Sequence, residues 1–185
     1  MASRRRESKA KKINPTLFVF CEGETEVAYI NLLKSLYRIP SIHIHPKIGG
    51  GDITAEYIVN YKRDKPTHEK DSDYLFYDLD VEAIFQRLNQ IGNCTLLVSN
   101  PSIELWFLLH YKNQTANINS TGCCRELKNR NRTYKKGLID NKLKDKLISR
   151  KSEAIRRGKG LASRNNPSTT VYRLLEKLDE LKDSL

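Results

Sequence analysis

Between residues 15 and 110 short apolar runs alternate with stretches of helical periodicity, and that alternation leaves the chain very few architectures. Leu17–Cys21 is an uninterrupted apolar run, the pattern of a buried strand. From Thr25 to Tyr37, the residues Val27, Ile30, Leu33, Leu36 and Tyr37 recur at helical spacing, and Pro40 ends the segment. Ile42–His45 alternates as a half-exposed strand. Gly49-Gly50-Gly51-Asp52 reads as a turn whose Asp52 caps a helix over Ile53–Tyr61. Lys62–Asp73 is polar loop, Tyr74–Tyr77 a third strand, Val81–Ile91 an amphipathic helix and Cys94–Val98 a fourth strand. Ser99-Asn100-Pro101 breaks the chain before an apolar helix over Ile103–His110. Strands separated by helices need crossover connections, so the expected class is α/β, with a parallel sheet of about four strands flanked by helices.

Past Tyr111 the character changes. Residues 112–124 are rich in Asn, Thr, Ser and Gly and read as loop. Residues 125–157 are charged and weakly helical, anchored by Leu127, Leu138, Leu143, Leu147 and Ile155. The turn-rich segments Gly158–Gly160 and Arg164–Pro167 precede a closing amphipathic helix, Thr169–Leu181, with Ser168 as its cap. The expected organisation is a basic N-terminal arm (1–12), an α/β core (13–111) and a basic, mainly helical extension (112–185) closing on that core.

The net charge of +11 is divided along the same lines: +5 over residues 1–12, −4 over 13–112 and +11 over 125–164. An acidic core between basic arms suits a protein whose arms hold phosphates, although solvated charge runs give the same counts. Arg4, Arg5, Arg6, Lys47, Arg130, Arg132, Lys135, Lys136, Arg156, Arg157, Lys159 and Arg164 are the expected nucleic-acid contacts, positioning phosphates without reading sequence. Lys159 and Arg164, in turn-rich backbone, also qualify as transition-state cations. No apolar run approaches the ~20 residues of a membrane span, and Met1–Arg6 lacks the apolar stretch of a secretory signal. Cys21, Cys94, Cys123 and Cys124 have no metal-binding or disulfide spacing, which fits a reducing, cytoplasmic setting.

The chemistry-bearing residues sit where the first and third apolar runs end. Glu22 follows the first strand directly, and Gly23 lets the backbone turn tightly into the helix. Glu26, four residues on, stands on nearly the same side of the first turn. Asp78 and Asp80, two apart in extended backbone, face the same way. If the two strands are neighbours, Glu22, Asp78 and Asp80 meet at the sheet edge where α/β folds bind ligands. Clustered carboxylates repel unless a cation sits between them. The expectation is Mg²⁺ or Mn²⁺ held by Glu22, Glu26, Asp78 and Asp80, with Glu22, Asp78 and Asp80 catalytic in phosphodiester hydrolysis.

The competing reading of Glu24 and Glu26 is favourable charge at a helix N-terminus, worth ~0.3–1 kcal/mol each, and it is the one adopted for Glu24. Asp80 also suits a cap of the following helix. Ser99, Asn100 and Glu104 follow the fourth strand near the same edge and read as contacts behind the metal ligands or to substrate, against helix capping and surface charge. Trp106, Phe107, Leu108 and Leu109 read as core. His43 and His45 lack further ligands at zinc spacing. Gly49–Gly51 lacks the Gly-Lys-Ser/Thr ending of a phosphate loop, so no ATP site is expected.

Strand-Glu22-Gly23-x-x-Glu26 with strand-Asp78-x-Asp80 resembles the Toprim domain of topoisomerases, DnaG-type primases and OLD-family nucleases. A wider set resembles the RloB-like proteins. It comprises the basic N-terminus, Cys21-Glu22-Gly23-Glu24-Thr25-Glu26, Tyr77-Asp78-Leu79-Asp80, the block from Ser99-Asn100-Pro101-Ser102 through Glu104-Leu105-Trp106 to His110, and Asn166-Pro167-Ser168-Thr169. The resemblance spans nearly the whole chain and implies a Toprim-like (Rossmann-like) sheet and a place in a bacterial phage-defence locus. It further implies a cytoplasmic endonuclease acting on RNA, tRNA by analogy, or on DNA, with an ABC/SMC-like ATPase as partner; a homodimer is left open. The alternative is a non-catalytic subunit that binds nucleic acid or the ATPase. Strand passage needs a covalent-tyrosine domain that 185 residues scarcely accommodate, and primase activity needs accessory domains.

Overall fold

A computed structural model describes residues 14–39, 42–79, 82–162 and 164–183. The basic arm over residues 1–12, with Arg4, Arg5 and Arg6, lies outside the described residues, as does Asp80. The elements run β1 (Thr16–Cys21), α1 (Glu24–Tyr37), β2 (His43–Ile48), α2 (Ala55–Lys62), β3 (Ser72–Asp78), α3 (Glu82–Gln90), β4 (Cys94–Asn100) and α4 (Ile103–Leu109). They continue with α5 (Ser120–Arg130), α6 (Asn141–Ser149), α7 (Lys151–Lys159), β5 (Ser168–Thr169) and α8 (Tyr172–Asp183). The sheet order is β2-β1-β3-β4-β5, with the first four strands parallel and β5 antiparallel to β4. The fold is therefore α/β and Rossmann-like, as the alternating sequence pattern requires.

The continuous apolar runs of β1 and β3 are explained by burial on both faces. Leu17, Val19 and Cys21 of β1, with Tyr74 and Phe76 of β3, join one core beneath α1, α4 and the C-terminal helices. Phe18 and Phe20, with Leu75 and Tyr77, enter a second core under α2 and α3. The period-two alternation thus separates two apolar layers within single runs.

Leu138, read as an apolar anchor, is exposed, and the structure departs from the sequence reading at three further places. Helix α2 is capped by Thr54, whose hydroxyl accepts the Tyr57 N–H at 3.1 Å, and not by Asp52. Ile53 is drawn into the second core, and Asp52 instead faces Arg87 at 3.3 Å. The expected loop over 112–124 gives way to α5 at Ser120, where Asn119 accepts the Gly122 N–H at 2.7 Å. Gly122 looks like a loop residue, yet it is buried, and a Cβ there would meet Ile118 at 2.9 Å. Ser168 and Thr169 are not the start of a helix. They form β5 against Asn100 and Ser99, and Thr170 fastens the pairing by accepting the Val98 N–H at 2.9 Å and donating to the Leu96 carbonyl at 3.0 Å. A two-residue strand carries no periodicity by which to recognise it.

Candidate active site

The strand order decides the site. β1 pairs with β2 on one side and β3 on the other, so the chain leaves the sheet centre in opposite directions from β1 and β3. The carboxyl ends flanking such a reversal form the ligand crevice of open α/β sheets. Glu22 follows β1 there and Asp78 ends β3. The Glu22 N–H donates to the Phe76 carbonyl at 3.0 Å, and its carboxylate accepts the Asp78 N–H at 2.9 Å. The two acids are thereby tied backbone to side chain across neighbouring strands.

Two helix starts bring in the others. Gly23 caps α1, and the Glu26 carboxylate accepts its N–H at 3.0 Å, closing half of a capping box. At the start of α4, Asp78 Oδ1 accepts the Ile103 N–H at 2.8 Å, so one carboxylate both ends a strand and caps a helix. Glu104, fully buried, accepts from the Ser102 hydroxyl at 2.7 Å and from the Tyr134 hydroxyl at 2.9 Å. Glu22, Glu26, Asp78 and Glu104 line one hollow of about 180 Å³ with Gly23–Thr25, Ile103 and Lys136.

A segment of the basic extension runs across this hollow. The Gly137 N–H donates to the Thr25 hydroxyl at 2.9 Å, and the Lys136 ammonium lies 3.5 Å from Glu104. Gly137 is left-handed (φ 75°), and a Cβ would stand 3.2 Å from Glu24, so glycine lets the segment approach the α1 N-terminus.

Electrostatics follow from crowding. Burial first, then the Glu26, Glu22 and Glu104 carboxylates, push the Asp78 carboxyl up to about 9. Burial likewise raises Glu26, against its backbone hydrogen bonds. Burial opposes the Lys136 charge, but Glu104, Cys124 and Asp78 outweigh it and hold the ammonium above the ordinary lysine value. The four cysteines are free thiols, and burial followed by the nearby Glu104 charge raises Cys123 to about 12 and Cys124 to about 11.

Among the described residues, no group of three or more His, Cys, Asp or Glu side chains is arranged to hold a metal ion. The donor chemistry nonetheless suits a hard divalent cation, because the hollow offers carboxylate oxygens and the crowded Asp78 holds a proton at neutral pH unless positive charge replaces it. Glu22 and Asp78 are the pair nearest to such a set, and Asp80, two residues on in sequence, lies outside the described residues.

The remaining sequence candidates are dispersed. Ser99 hydrogen-bonds Thr169 at 2.9 Å, and the Asn100 side chain donates to the Arg164 carbonyl at 3.2 Å. Both hold the β4–β5 junction and do not line the acidic hollow, whereas Glu104 does. Lys47 is on β2 at the far edge of the sheet. Arg130 pairs with Glu126 at 2.8 Å, and Arg157 donates to the Leu109 carbonyl at 2.5 Å. Lys159 pairs with Glu176, and the Arg164 guanidinium stacks 4.5 Å from the Phe85 ring. Arg132, Lys135 and Arg156 are exposed. Trp106 through Leu109 are fully buried, and the Trp106 indole N–H donates to Tyr29 at 2.8 Å. Sequence reasoning missed Tyr134, whose only signal was an aromatic residue among charges, and it assigned Lys136 to phosphate contacts alone.

No match was found among curated proteins or among solved structures. A family model described as RloB-like protein matches residues 17–178, from the first residues of β1 into α8. The chain belongs to the RloB-like family.

Proposed function

We propose that this chain is a divalent-metal-dependent endonuclease of the Toprim type, acting on RNA or DNA in the bacterial cytoplasm as the effector of an anti-phage system with an ATPase partner. The observation that carries the reading is the meeting of Glu22, Glu26, Asp78 and Glu104 in one hollow at the carboxyl ends of two adjacent parallel strands. Glu22 and Asp78 would hold Mg²⁺ or Mn²⁺, with Asp80 as the further carboxylate that the sequence supplies. An ion held by these residues would supply water activation and stabilisation of the charge of in-line displacement at phosphorus. The chain's own work is orientation: the Ile103 N–H fixes the Asp78 carboxylate, and the Asp78 N–H fixes that of Glu22. Lys136 offsets part of the negative charge beside Glu104 and leaves the hollow able to receive a phosphate. The defence role, the ATPase partner and the cytoplasmic setting rest on resemblance to the family; among the described residues no helix is long and apolar enough to cross a membrane.

Incubation with total tRNA, single-stranded RNA and plasmid, with and without Mg²⁺ or Mn²⁺, alone and with an ATPase encoded beside the gene, tests the reading. Metal-dependent cleavage should fall at least a hundredfold in Asp78→Asn and in Glu22→Gln, with unchanged circular dichroism. Full activity in both variants would sink it. A second reading, a non-catalytic binding subunit, is favoured by the Lys136–Glu104 pair, which already gives the acids a cation; binding without cleavage under every condition would select it.

A further inference from the structure

The outer edge of the sheet carries a surface that the acidic site does not use. In register across β1 and β2, Phe18 stands beside His45 and Phe20 beside Lys47. Helix α2 lays Tyr57 and Tyr61 over that row, four residues apart on one face. Their rings are nearly parallel, 5° apart with centroids at 6.4 Å, and His45 hydrogen-bonds the Tyr61 hydroxyl. Lysines border the aromatics: Lys65 lies 4.3 Å and Lys47 5.5 Å from the Tyr61 ring centre. Lys62 is neutralised by Asp73 at 2.8 Å, but among the described residues Lys34, Lys47 and Lys65 make no ion pair. Burial and then Lys65, Lys34 and Lys47 lower the His45 pKa, so the charges acting on this ring are positive. Beside it a hollow of about 330 Å³ is lined by Lys34, His43, His45 and Lys65.

We propose that this β2–α2 edge binds single-stranded nucleic acid, its bases against the Tyr57–Tyr61 rings and its phosphates on Lys34, Lys47 and Lys65. Half-buried aromatics bordered by unpaired cations fit a strand that offers π faces and negative charge together. A second copy adding a strand fits worse, because Pro46 deprives this edge strand of an N–H. The surface also leads to the acids: the Gly49 N–H just past β2 donates to the Cys21 carbonyl at 2.8 Å, one residue before Glu22. The inference rests on the nuclease reading for its purpose, though not for its test.

In an Asp78→Asn background, binding of fluorescent 20-mers of oligouridylate and oligodeoxythymidylate is followed by anisotropy over a salt series. Lys47→Glu with Lys65→Glu should weaken binding at least tenfold and lower the log–log salt slope by about 1.4, two single-strand phosphate contacts. Tyr61→Leu should weaken it roughly tenfold with the slope unchanged. Loss with only one of the two oligomers tells RNA from DNA. Unchanged affinity and slope in both folded variants would overturn the proposal while leaving the nuclease reading intact. Undiminished single-strand binding by a parent that cuts nothing would fell the nuclease reading alone.

Discussion

At the scale of single residues, Asp78 concentrates the conflict between folding and chemistry. Its ordinary carboxyl value of 3.8 is pushed up to about 9 by burial among Glu26, Glu22 and Glu104. Between those values the folded chain keeps a proton that the unfolded chain has released, so stability falls as pH rises across that window, by at most ~1.4 kcal/mol per pH unit from this group. The contribution is fully present below the unfolded value and is lost once pH has risen through the folded one. Asp78→Asn keeps the acceptor for the Ile103 N–H and removes the titration. The variant should match the parent near pH 4 and exceed it in thermal stability at pH 8, both measured without divalent ions. Added Mg²⁺ should raise the parent's midpoint more at pH 8 than at pH 5 and leave the variant nearly unmoved. Parallel pH profiles for the two proteins would show that Asp78 is not the crowded group.

At the scale of elements, the least legible part is the junction of β4, β5 and α7. Gly158, on α7, is packed so that a Cβ would stand 3.2 Å from Thr169, 3.3 Å from Tyr172 and 3.6 Å from Trp106. Alanine in place of glycine favours a helix by ~1 kcal/mol, whereas overpacking costs ~1–3 kcal/mol. Thr169, tied to Ser99, and Trp106, tied to Tyr29, are buried and leave little room, whereas Tyr172 is half-buried. Overpacking should win, and Gly158→Ala should lose roughly 1–2 kcal/mol in urea denaturation. Gly160→Ala is the control, since its Cβ meets only backbone carbonyls at 3.5 and 3.6 Å. A stabilised Gly158→Ala would mean that the β5 junction is looser than its hydrogen bonds indicate.

At the scale of the whole molecule, the charge division acquires a geometry. The basic extension is not separate from the acidic core: Lys136 lines the hollow and Gly137 bonds Thr25 at its rim, while Arg132 and Lys135, in the same segment, remain exposed. Arg130, Arg157 and Lys159 are engaged within the fold. Charge reversal at Arg132 and Lys135 should therefore weaken nucleic-acid binding and reduce its log–log salt slope by about 1–2, read by anisotropy with labelled tRNA. The same reversal at Arg130 and Lys159 should act mainly on stability. A salt slope untouched by Arg132→Glu with Lys135→Glu would assign that face to a protein partner.

The sequence by itself determined the α/β class, the helices α1, α3 and α4, and the places of Glu22 and Asp78 at the ends of strands, because hydrophobic period and the step from apolar run to carboxylate are local properties. It misjudged Asp52, the start of α5 and Ser168, where the deciding contacts come from Ile53 in a core, from Ile118 against Gly122, and from a strand about 70 residues earlier in the chain. Only the tertiary structure put β1 beside β3, since strand order is set by how long-range layers pack and leaves no trace in either segment. That adjacency joins two short acidic motifs into one hollow. The tertiary structure also brings Glu104 and Lys136, from later segments of the chain, to line that hollow, with Tyr134 behind Glu104.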